Sequence, residues 1–329
     1  MKEEIDLKIL IASERGSRPL DVSEWKRLAN VEYVATQDEA GLIKQIVDAE
    51  VLIPGWKVPI TAKIIDAGKK LKMIQVFSVG YDKIDHITAT EKGIMVCNTG
   101  GSNAESVAEL TWGLILGLFR RIPGGDRLMR IGKWGRFKVD KQKLIWGKTL
   151  GIVGFGAIGR LVGKIGRLAF NMNILAYDPY VIPETVEVFG GKLVPLETVM
   201  KESDVISIHV PLSNATRHLI SMRELQMMKS TALIVNTARG AVIDEAGLIK
   251  CLQEEVIAGA ALDVFEVEPL PEDSPLRSMD NVIMVSHIGT CPEIFIKMRK
   301  AGIENVARFL RGAKPMRIVN PSYIINSNS

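Results

Sequence analysis

A short strand that runs directly into a glycine-rich turn constrains the fold of this chain more than any other feature. Thr149–Val153 is predicted to be a buried strand, and the next residues read Gly-Phe-Gly-Ala-Ile-Gly before a helical pattern begins. This glycine pattern is weak evidence alone, but its place between a strand and a helix indicates a dinucleotide-binding turn. Gly154 permits the tight turn, Gly156 lets the backbone approach a pyrophosphate, and Gly159 lets the helix pack on the strand. The helix start then offers amide groups to the phosphates.

The second half of the chain alternates strands with helical patterns. Six parallel strands joined by crossover helices are what a doubly wound nucleotide-binding sheet requires. The predicted strands are Thr149–Val153, Asn173–Tyr177, Val205–His209, Ala232–Asn236, Ala258–Leu262 and Val282–Ser286.

The first part of the chain shows a similar alternation and predicts a second parallel sheet covered by helices. Its predicted strands are Lys8–Ala12, Val51–Pro54, Met73–Phe77 and Met95–Cys97, and its predicted helices cover 22–29, 38–48, 60–68 and 85–91.

The length of 329 residues allows two domains. A long helix predicted over about 103–121 and a polar stretch over 124–148 mark a boundary, and a final helix over about 292–312 could return to the first domain. The sequence therefore predicts an α/β protein with two doubly wound parallel-sheet domains. One is discontinuous, residues 1–102 plus 293–329, and the other is a Rossmann domain, residues 103–292.

Composition excludes several other classes of protein. The chain is 47% hydrophobic and 24% charged, which is typical of soluble globular proteins, and its net charge of +4 is too small to indicate a nucleic-acid partner. Met1–Ile11 lacks the basic region of a signal peptide, and the apolar stretch Leu110–Phe119 is too short to span a bilayer. Cys97, Cys251 and Cys291 show neither disulfide nor metal-site spacing. We expect a cytoplasmic protein with no membrane or nucleic-acid partner.

An acidic residue ends the strand that follows the glycine turn. The carboxylate of Asp178 can accept hydrogen bonds from the adenosine ribose hydroxyls, and it would repel a 2′-phosphate. Pro179 and Tyr180 come next, so no arginine adjoins it. This pattern favours NAD over NADP.

Polar residues that follow three predicted strands suggest the chemistry. Arg239, the two glutamates Glu266 and Glu268, and His287 each come after a strand end, and these ends lie at one edge of a parallel sheet. A histidine can take the hydroxyl proton of a 2-hydroxy acid, and a carboxylate partner raises its pKa. An arginine can bind a carboxylate and polarise a 2-oxo oxygen. Spacing alone does not choose between the two glutamates, and the histidines lack metal-ligand spacing, so no metal is predicted.

These segments together resemble the D-isomer-specific 2-hydroxyacid dehydrogenase family over nearly the whole chain. The resemblance implies that Arg239, Glu268 and His287 form the catalytic triad, and it chooses Glu268 over Glu266. The matching segments are Val79–Asp82, Ser106–Leu110, Gly154–Gly159, Asn236–Gly240, Asp263–Pro269 and His287–Gly289.

The same resemblance implies a flavodoxin-like substrate domain and a Rossmann cofactor domain with the active site between them. It also implies hydride transfer between NAD and a small 2-hydroxy acid, and a homodimer joined through about 103–140. Asp263 would hold the nicotinamide carboxamide. The implied cofactor-binding residues are Gly154, Gly156, Ala157, Ile158, Gly159, Asp178, His209, Val210, Pro211, Thr216, Thr237, Ala238, Asp263 and Gly289; the implied substrate-binding residues are Ser78, Val79, Gly80, Asn103, Arg239 and His287.

The substrate is less clearly specified. In the phosphoglycerate dehydrogenases of this family, arginines of the first domain hold the substrate phosphate. This chain has Val76-Phe77-Ser78 and Gly55-Trp56-Lys57 at those places, although Lys57 could partly substitute. The loop Ser78–Asp82 is more similar to that of glyoxylate and hydroxypyruvate reductases. We therefore expect glyoxylate, hydroxypyruvate or a related short 2-oxo acid, with D-3-phosphoglycerate as the alternative.

A function of another class also stays open. Some proteins of this fold bind NAD and act as transcriptional corepressors, and they can keep the triad. Such proteins carry partner-binding grooves and long disordered tails. This chain ends soon after the last predicted helix, so the enzyme is favoured over an NAD-sensing binding protein.

Overall fold

The computed structural model describes residues 7–12, 20–35, 38–55, 58–134 and 142–323. The chain divides into two units, Met1–Asn103 with Pro292–Ser329, and Ala104–Cys291. Every strand pair described within each unit is parallel. The predicted fold class, an α/β protein with two parallel sheets, is therefore confirmed. Among the described residues, no helix is long and apolar enough to cross a membrane.

The first unit is a five-stranded sheet in the order β2-β1-β3-β4-β5. Its strands are β1 (Lys8–Ala12), β2 (Asn30–Val34), β3 (Val51–Ile53), β4 (Met73–Gln75) and β5 (Met95–Cys97), and its helices are α1 (Trp25–Leu28), α2 (Glu39–Gln45), α3 (Ala62–Ala67), α4 (His86–Glu91) and, from the end of the chain, α12 (Pro292–Leu310).

The sequence did not predict β2. This strand lies at the edge of the sheet, and only Val34 of its five residues is buried. An edge strand with little apolar surface lacks the hydrophobic run by which buried strands are recognised. The predicted strand over Met73–Phe77 is shorter than expected, because the ladder ends at Gln75.

The final helix α12 packs on the first unit. The indole of Trp25 on α1 is fully buried, and its Nε1 donates a hydrogen bond to the carbonyl of Ile303 at 3.2 Å. Val306 and Ala307 of the same helix join the buried apolar cluster on this face of the sheet. Residues of α12, near the end of the chain, therefore complete the hydrophobic core of the unit that the first 103 residues form.

The second unit is a seven-stranded sheet in the order β12-β11-β10-β9-β6-β7-β8. The strands are β6 (Thr149–Val153), β7 (Asn173–Tyr177), β8 (Gly191–Leu193), β9 (Val205–Ile208), β10 (Leu233–Asn236), β11 (Gly259–Leu262) and β12 (Val282–Met284), and the helices are α5 (Ala104–Arg120), α6 (Ile122–Arg130), α7 (Ala157–Phe170), α8 (Pro183–Glu187), α9 (Leu196–Glu202), α10 (Met222–Gln226) and α11 (Glu245–Gln253).

The strand order of this unit reverses beside β6. The chain proceeds outward from β6 to β7 and β8, and then returns to β9 on the other side of β6. Ligands of doubly wound sheets bind at the carboxyl ends of the strands at such a reversal. The glycine turn after β6 and the loop after β9 therefore flank the expected ligand position.

Two elements of this unit were not predicted. The strand β8 has three residues and lies at the sheet edge, so it carries too little pattern to be recognised. The helix α6 falls in the stretch that was predicted to be a polar boundary, and none of its residues is buried. In contrast, the long helix predicted over about 103–121 is present as α5 and is buried along most of its length, and the indole of Trp112 donates to the Val162 carbonyl of α7 at 3.2 Å.

Candidate active site

The glycine turn has the shape that a phosphate-binding turn requires. Gly154 has a φ of +95°, and a Cβ there would lie 2.8 Å from the carbonyl carbon of His209. A Cβ at Gly159 would lie 2.2 Å from the carbonyl oxygen of Gly154, so only glycine lets α7 approach the turn. A Cβ at Gly156 would meet nothing within 4 Å, so the backbone here borders open space. Ala157 and Ile158 begin α7 at this opening, where free helical amides favour an anion.

Asp178 is fixed at the carboxyl end of β7. Its Oδ2 accepts the amide of Phe155 in the glycine turn at 2.8 Å, and its Oδ1 accepts the amide of Tyr180 at 2.9 Å. Each carboxylate oxygen can accept more than one hydrogen bond. The side chain is therefore held beside the glycine turn with acceptor capacity left for a ligand.

His209 follows β9 and faces the glycine turn. Its amide donates to the Val153 carbonyl at 2.7 Å, and its Nε2 lies 2.8 Å from the Ser207 hydroxyl. Burial lowers the pKa of this imidazole to about 3, so it is neutral at physiological pH. Its Nδ1 is buried and has no hydrogen-bond partner among the described residues. An unpartnered buried nitrogen at this edge can bond to a ligand.

The loop after His209 holds itself in place. The hydroxyl of Thr216 donates to the carbonyl of Pro211 at 2.6 Å and accepts the amide of Ser213 at 2.8 Å. The side chain of Val210 would clash with any Cβ at Gly154. These contacts fix the loop against the glycine turn.

Asn236 at the end of β10 builds the turn that carries Arg239. The side-chain amide of Asn236 donates to the Arg239 carbonyl at 2.9 Å, and its Oδ1 accepts the Ala238 amide at 3.0 Å. The Thr237 hydroxyl lies 3.0 Å from that of Thr111 on α5. Asn236 was not predicted to be a functional residue, although an asparagine directly after a buried strand is a known turn former.

The His287 imidazole is paired with Glu268 and not with Glu266. The Nδ1 of His287 lies 2.8 Å from Oε2 of Glu268, whose Oε1 accepts the Phe265 amide at 3.2 Å. The hydrogen bond to Glu268 holds the pKa of His287 above its ordinary value, although burial and the charge of Arg239 oppose this. Burial acts to raise the pKa of Glu268, but the hydrogen bond and charge of His287 outweigh it and the pKa is lowered.

Asp263 holds the turn that presents His287. The His287 residue has a φ of +56°, an unusual conformation for a residue with a side chain. The Asp263 carboxylate accepts the amides of Ile288 at 2.7 Å and Gly289 at 3.1 Å, and its own carbonyl accepts the His287 amide at 2.8 Å. Burial raises the pKa of Asp263, although the two amides oppose the rise.

Ser106 supports the same turn from α5 and was missed in the sequence. Its hydroxyl donates to the Gly289 carbonyl at 2.8 Å and accepts the Cys291 amide at 3.0 Å. A serine on a buried helix gives no sign of such a contact until the distant turn is placed beside it.

The loop after β4 in the first unit carries the predicted substrate-binding residues Ser78, Val79 and Gly80. Their carbonyls are all engaged, since Ser78 accepts from the Thr99 amide at 3.0 Å, Val79 from the Asn98 side chain at 2.7 Å, and Gly80 from the Ser78 hydroxyl at 2.7 Å. Within the part of the chain that the structure describes, the Val79 and Gly80 amides have no acceptor. This loop can therefore offer amides to an anion.

The remaining predicted residues are less informative. Asn103 lies directly before α5 and is half-buried. Trp56 and Lys57 lie outside the described residues. No group of three or more potential metal-ligating side chains occurs within the described ranges.

The second unit fits a dinucleotide. The opening at Gly156, the anchored carboxylate of Asp178 and the unpartnered Nδ1 of His209 follow three neighbouring strands. Beside them, β10, β11 and β12 present an arginine and a paired histidine and glutamate. A doubly wound sheet with this set defines the class of nicotinamide-dependent dehydrogenases.

Comparison with known proteins identifies the family. A family model described as the NAD-binding domain of D-isomer-specific 2-hydroxyacid dehydrogenases matches residues 112–289. A hydroxypyruvate reductase of Thermotoga maritima is 44% identical over 304 residues, which cover 89% of this chain and 95% of that protein. A D-3-phosphoglycerate dehydrogenase of Methanocaldococcus jannaschii is 40% identical over 95% of this chain, which spans 59% of that protein.

A solved structure agrees with this result. A glyoxylate reductase from Paecilomyes thermophila superposes with a TM-score of 0.87 at 30% identity, covering 95% of this chain and 98% of that one. The chain belongs to the D-isomer-specific 2-hydroxyacid dehydrogenase family. It is an oxidoreductase that acts on the CH–OH group of a 2-hydroxy acid with NAD as cofactor, and the predicted family, enzyme class and cofactor are confirmed.

Proposed function

We propose that the enzyme interconverts a short 2-oxo acid, glyoxylate or hydroxypyruvate, and the corresponding 2-hydroxy acid. The observation that carries this proposal is the His287–Glu268 pair at 2.8 Å, on the strand ends next to the Arg239 turn. The names of the relatives, hydroxypyruvate reductase and glyoxylate reductase, support a short substrate. Val76-Phe77-Ser78 stands where phosphoglycerate dehydrogenases carry an arginine, which supports the same choice.

The residues divide the reaction between them. When bound, NADH would supply the hydride for carbon 2 of the 2-oxo acid. During reduction, His287 donates a proton from its Nε2 to the 2-oxo oxygen. Glu268 keeps the Nδ1 side occupied and stabilises the imidazolium before transfer. Arg239 binds the substrate carboxylate and polarises the 2-oxo group. The amides of Val79 and Gly80 would hold the carboxylate, with Ser78 and Asn103 nearby.

The cofactor is proposed to lie along the carboxyl edge of the second sheet, which would make residues 103–292 the cofactor domain and 1–102 plus 293–329 the substrate domain. Gly154, Gly156 and Gly159 would receive the pyrophosphate with Ala157 and Ile158. His209, Val210, Pro211 and Thr216 would line the adenosine side. The nicotinamide end would meet Thr237, Ala238, Asp263 and Gly289.

Replacing Asp178 with serine is expected to relax the preference for NADH over NADPH. The carboxylate beside the glycine turn repels a 2′-phosphate, and serine removes this charge while keeping a hydroxyl at the site. The ratio of kcat/KM values for NADH and NADPH should fall by about tenfold or more, which corresponds to a loss of about 1.4 kcal/mol in discrimination between the two cofactors. Steady-state kinetics with both cofactors measure it, and an unchanged ratio would mean that another group reads the ribose.

Replacing Glu268 with glutamine is expected to move the pH profile of reduction. His287 must be protonated for reduction, so activity falls as pH rises through the pKa of this histidine. Because the hydrogen bond to Glu268 raises that pKa, its loss shifts the fall in kcat/KM to lower pH. Oxidation needs the neutral imidazole, so its rising limb should move to lower pH as well. Profiles in both directions test this, and limbs that stay in place would contradict the assignment.

A homodimer in the cytoplasm is the proposed state of the protein. The helix α6 has no buried residue, and large apolar side chains are exposed on it and just beyond it. Several exposed large apolar side chains on one segment favour a protein partner, and a second copy is the simplest one. Sedimentation velocity of the purified chain tests the dimer. The exposed side chains are Ile122, Met129, Ile131 and Trp134, with Leu144 and Trp146 further along.

The substrate is tested by NADH oxidation with glyoxylate, hydroxypyruvate, pyruvate and phosphohydroxypyruvate in parallel. The highest kcat/KM is expected for glyoxylate or hydroxypyruvate. A strong preference for phosphohydroxypyruvate would overturn the proposal in favour of phosphoglycerate dehydrogenase. Measurable NADH binding without turnover of any acid would instead favour a cofactor-sensing protein.

A further inference from the structure

A second histidine–carboxylate pair lies on the loop that carries Glu268. The Nε2 of His218 donates a hydrogen bond to the carboxylate of Glu266, two residues before Glu268 in the chain. Both side chains are partly exposed, at 44% for His218 and 30% for Glu266. An exposed pair contributes little to stability. The contacts of the pair with its surroundings are therefore more informative than its effect on stability.

Glu266 is also held by the start of α11. Its amide donates to Oε2 of Glu245 at 3.0 Å, and the amide of Glu245 donates back to Oε1 of Glu266 at 3.4 Å. The pKa of Glu245 is raised by burial, with the nearby charge of Glu266 adding to the rise. Glu266 is thus bound on one side by a histidine and on the other by a helix terminus.

The loop that carries Glu266 also contacts the Arg239 turn. A Cβ at Gly240 would lie 1.9 Å from the carbonyl carbon of Phe265, so the two loops are in direct backbone contact. His218 is fixed there too, since its amide donates to the Ala241 carbonyl at 2.8 Å. Its φ of +52° indicates that this position is held against its ordinary preference.

We infer that His218 and Glu266 are positioning residues that hold the carboxylate of Glu268 against His287. The inference rests on the proposed role of His287 as acid and base. Only Val267 separates Glu266 from Glu268, and Oε1 of Glu268 is bonded to the Phe265 amide of the same loop. Loss of the His218–Glu266 hydrogen bond is therefore expected to loosen both hydrogen bonds of the Glu268 carboxylate, the one to His287 and the one to the Phe265 amide. His218 also follows the loop of His209 and Thr216, so it connects the proposed cofactor loop to the catalytic one.

The pKa of the His287 imidazole, measured by NMR in histidine-labelled protein, reports this positioning without any turnover. The chain has four histidines, so single substitutions assign their signals. The charged groups that face His287, namely Glu268, Arg239 and Asp263, stay unchanged in every variant. His218→Asn is the main variant, because asparagine tolerates the left-handed backbone but is too short to reach Glu266. In this variant the pKa of His287 is expected to fall by about 0.5 units or more, because a weaker hydrogen bond to Glu268 stabilises the imidazolium less.

Charge and geometry predict opposite results for this variant. Removing a histidine that can carry positive charge would, by charge alone, raise the pKa of His287 or leave it unchanged. Glu266→Ala should lower the pKa as well, and Glu266→Gln, which keeps the acceptor for His218, should restore much of it. The matched control is Glu272→Ala, an exposed glutamate without a hydrogen bond among the described residues.

The outcomes separate this inference from the proposed function. A His287 pKa that stays constant or rises in folded His218→Asn protein, as judged by circular dichroism and NADH binding, would overturn the positioning role. A wild-type enzyme that turns over no 2-oxo acid would overturn the proposed function, whereas the NMR titration would still decide the geometry. In an active enzyme, kcat should fall several-fold in His218→Asn, and the basic limb of reduction should move to lower pH with the NMR value.

Discussion

His287→Asn is expected to lower kcat for 2-oxo acid reduction by about 10²–10⁴-fold, the usual contribution of a general acid. The imidazole carries a raised pKa and a carboxylate partner at 2.8 Å, so its loss removes the group assigned to proton donation. Asparagine is chosen because His287 has a φ of +56°, which alanine would tolerate less well.

NADH binding should survive this change, since the glycine turn and Asp178 lie after other strands. Stopped-flow measurement of the chemical step and fluorescence titration of NADH give the two quantities separately. Turnover at the wild-type rate would show that His287 is not the proton donor. Loss of NADH binding together with activity would show a structural role instead.

Arg239→Lys is expected to cost about 10²–10³-fold in kcat/KM, as the removal of one transition-state donor usually does. Lysine keeps the positive charge but loses the planar fork that binds a carboxylate through two parallel hydrogen bonds. The Arg239 guanidinium also donates to the Ala238 carbonyl of its own turn at 2.7 Å. The turn should persist without this contact, because the Asn236 side chain still bonds to the backbone of Ala238 and Arg239.

A matched control for this change is Arg223→Lys, an exposed arginine on α10. The loss at Arg239 should be larger for KM of the 2-oxo acid than for KM of NADH, because the guanidinium binds the acid. Equal kinetics for Arg239→Lys and the control would show that Arg239 does not bind the substrate.

The sequence predicts the two sheets well, because buried parallel strands are continuous apolar runs. It misses β2 and β8, which lie at sheet edges and bury little surface, and α6, which buries none. The strand ends that bear Arg239, Glu268 and His287 follow from the same runs, since parallel strands place their carboxyl ends at one edge.

The supports of the site do not follow from the sequence. Spacing leaves Glu266 and Glu268 equivalent, and the choice of Glu268 comes from the family resemblance. The folded loop directs Glu266 to His218 and Glu268 to His287. The contact of Ser106 with Gly289 joins residues far apart in the chain. The low pKa of His209 depends on burial that no local pattern reveals.

The central claim is direct hydride transfer to carbon 2 of a 2-oxo acid with D stereochemistry, and deuterium labelling tests it most directly. Hydroxypyruvate is reduced with NADH that carries deuterium at both positions of carbon 4 of the nicotinamide, and the product is analysed by mass spectrometry and chiral chromatography. The account predicts D-glycerate with one deuterium at carbon 2. An L product, or a product without deuterium at that carbon, would contradict it.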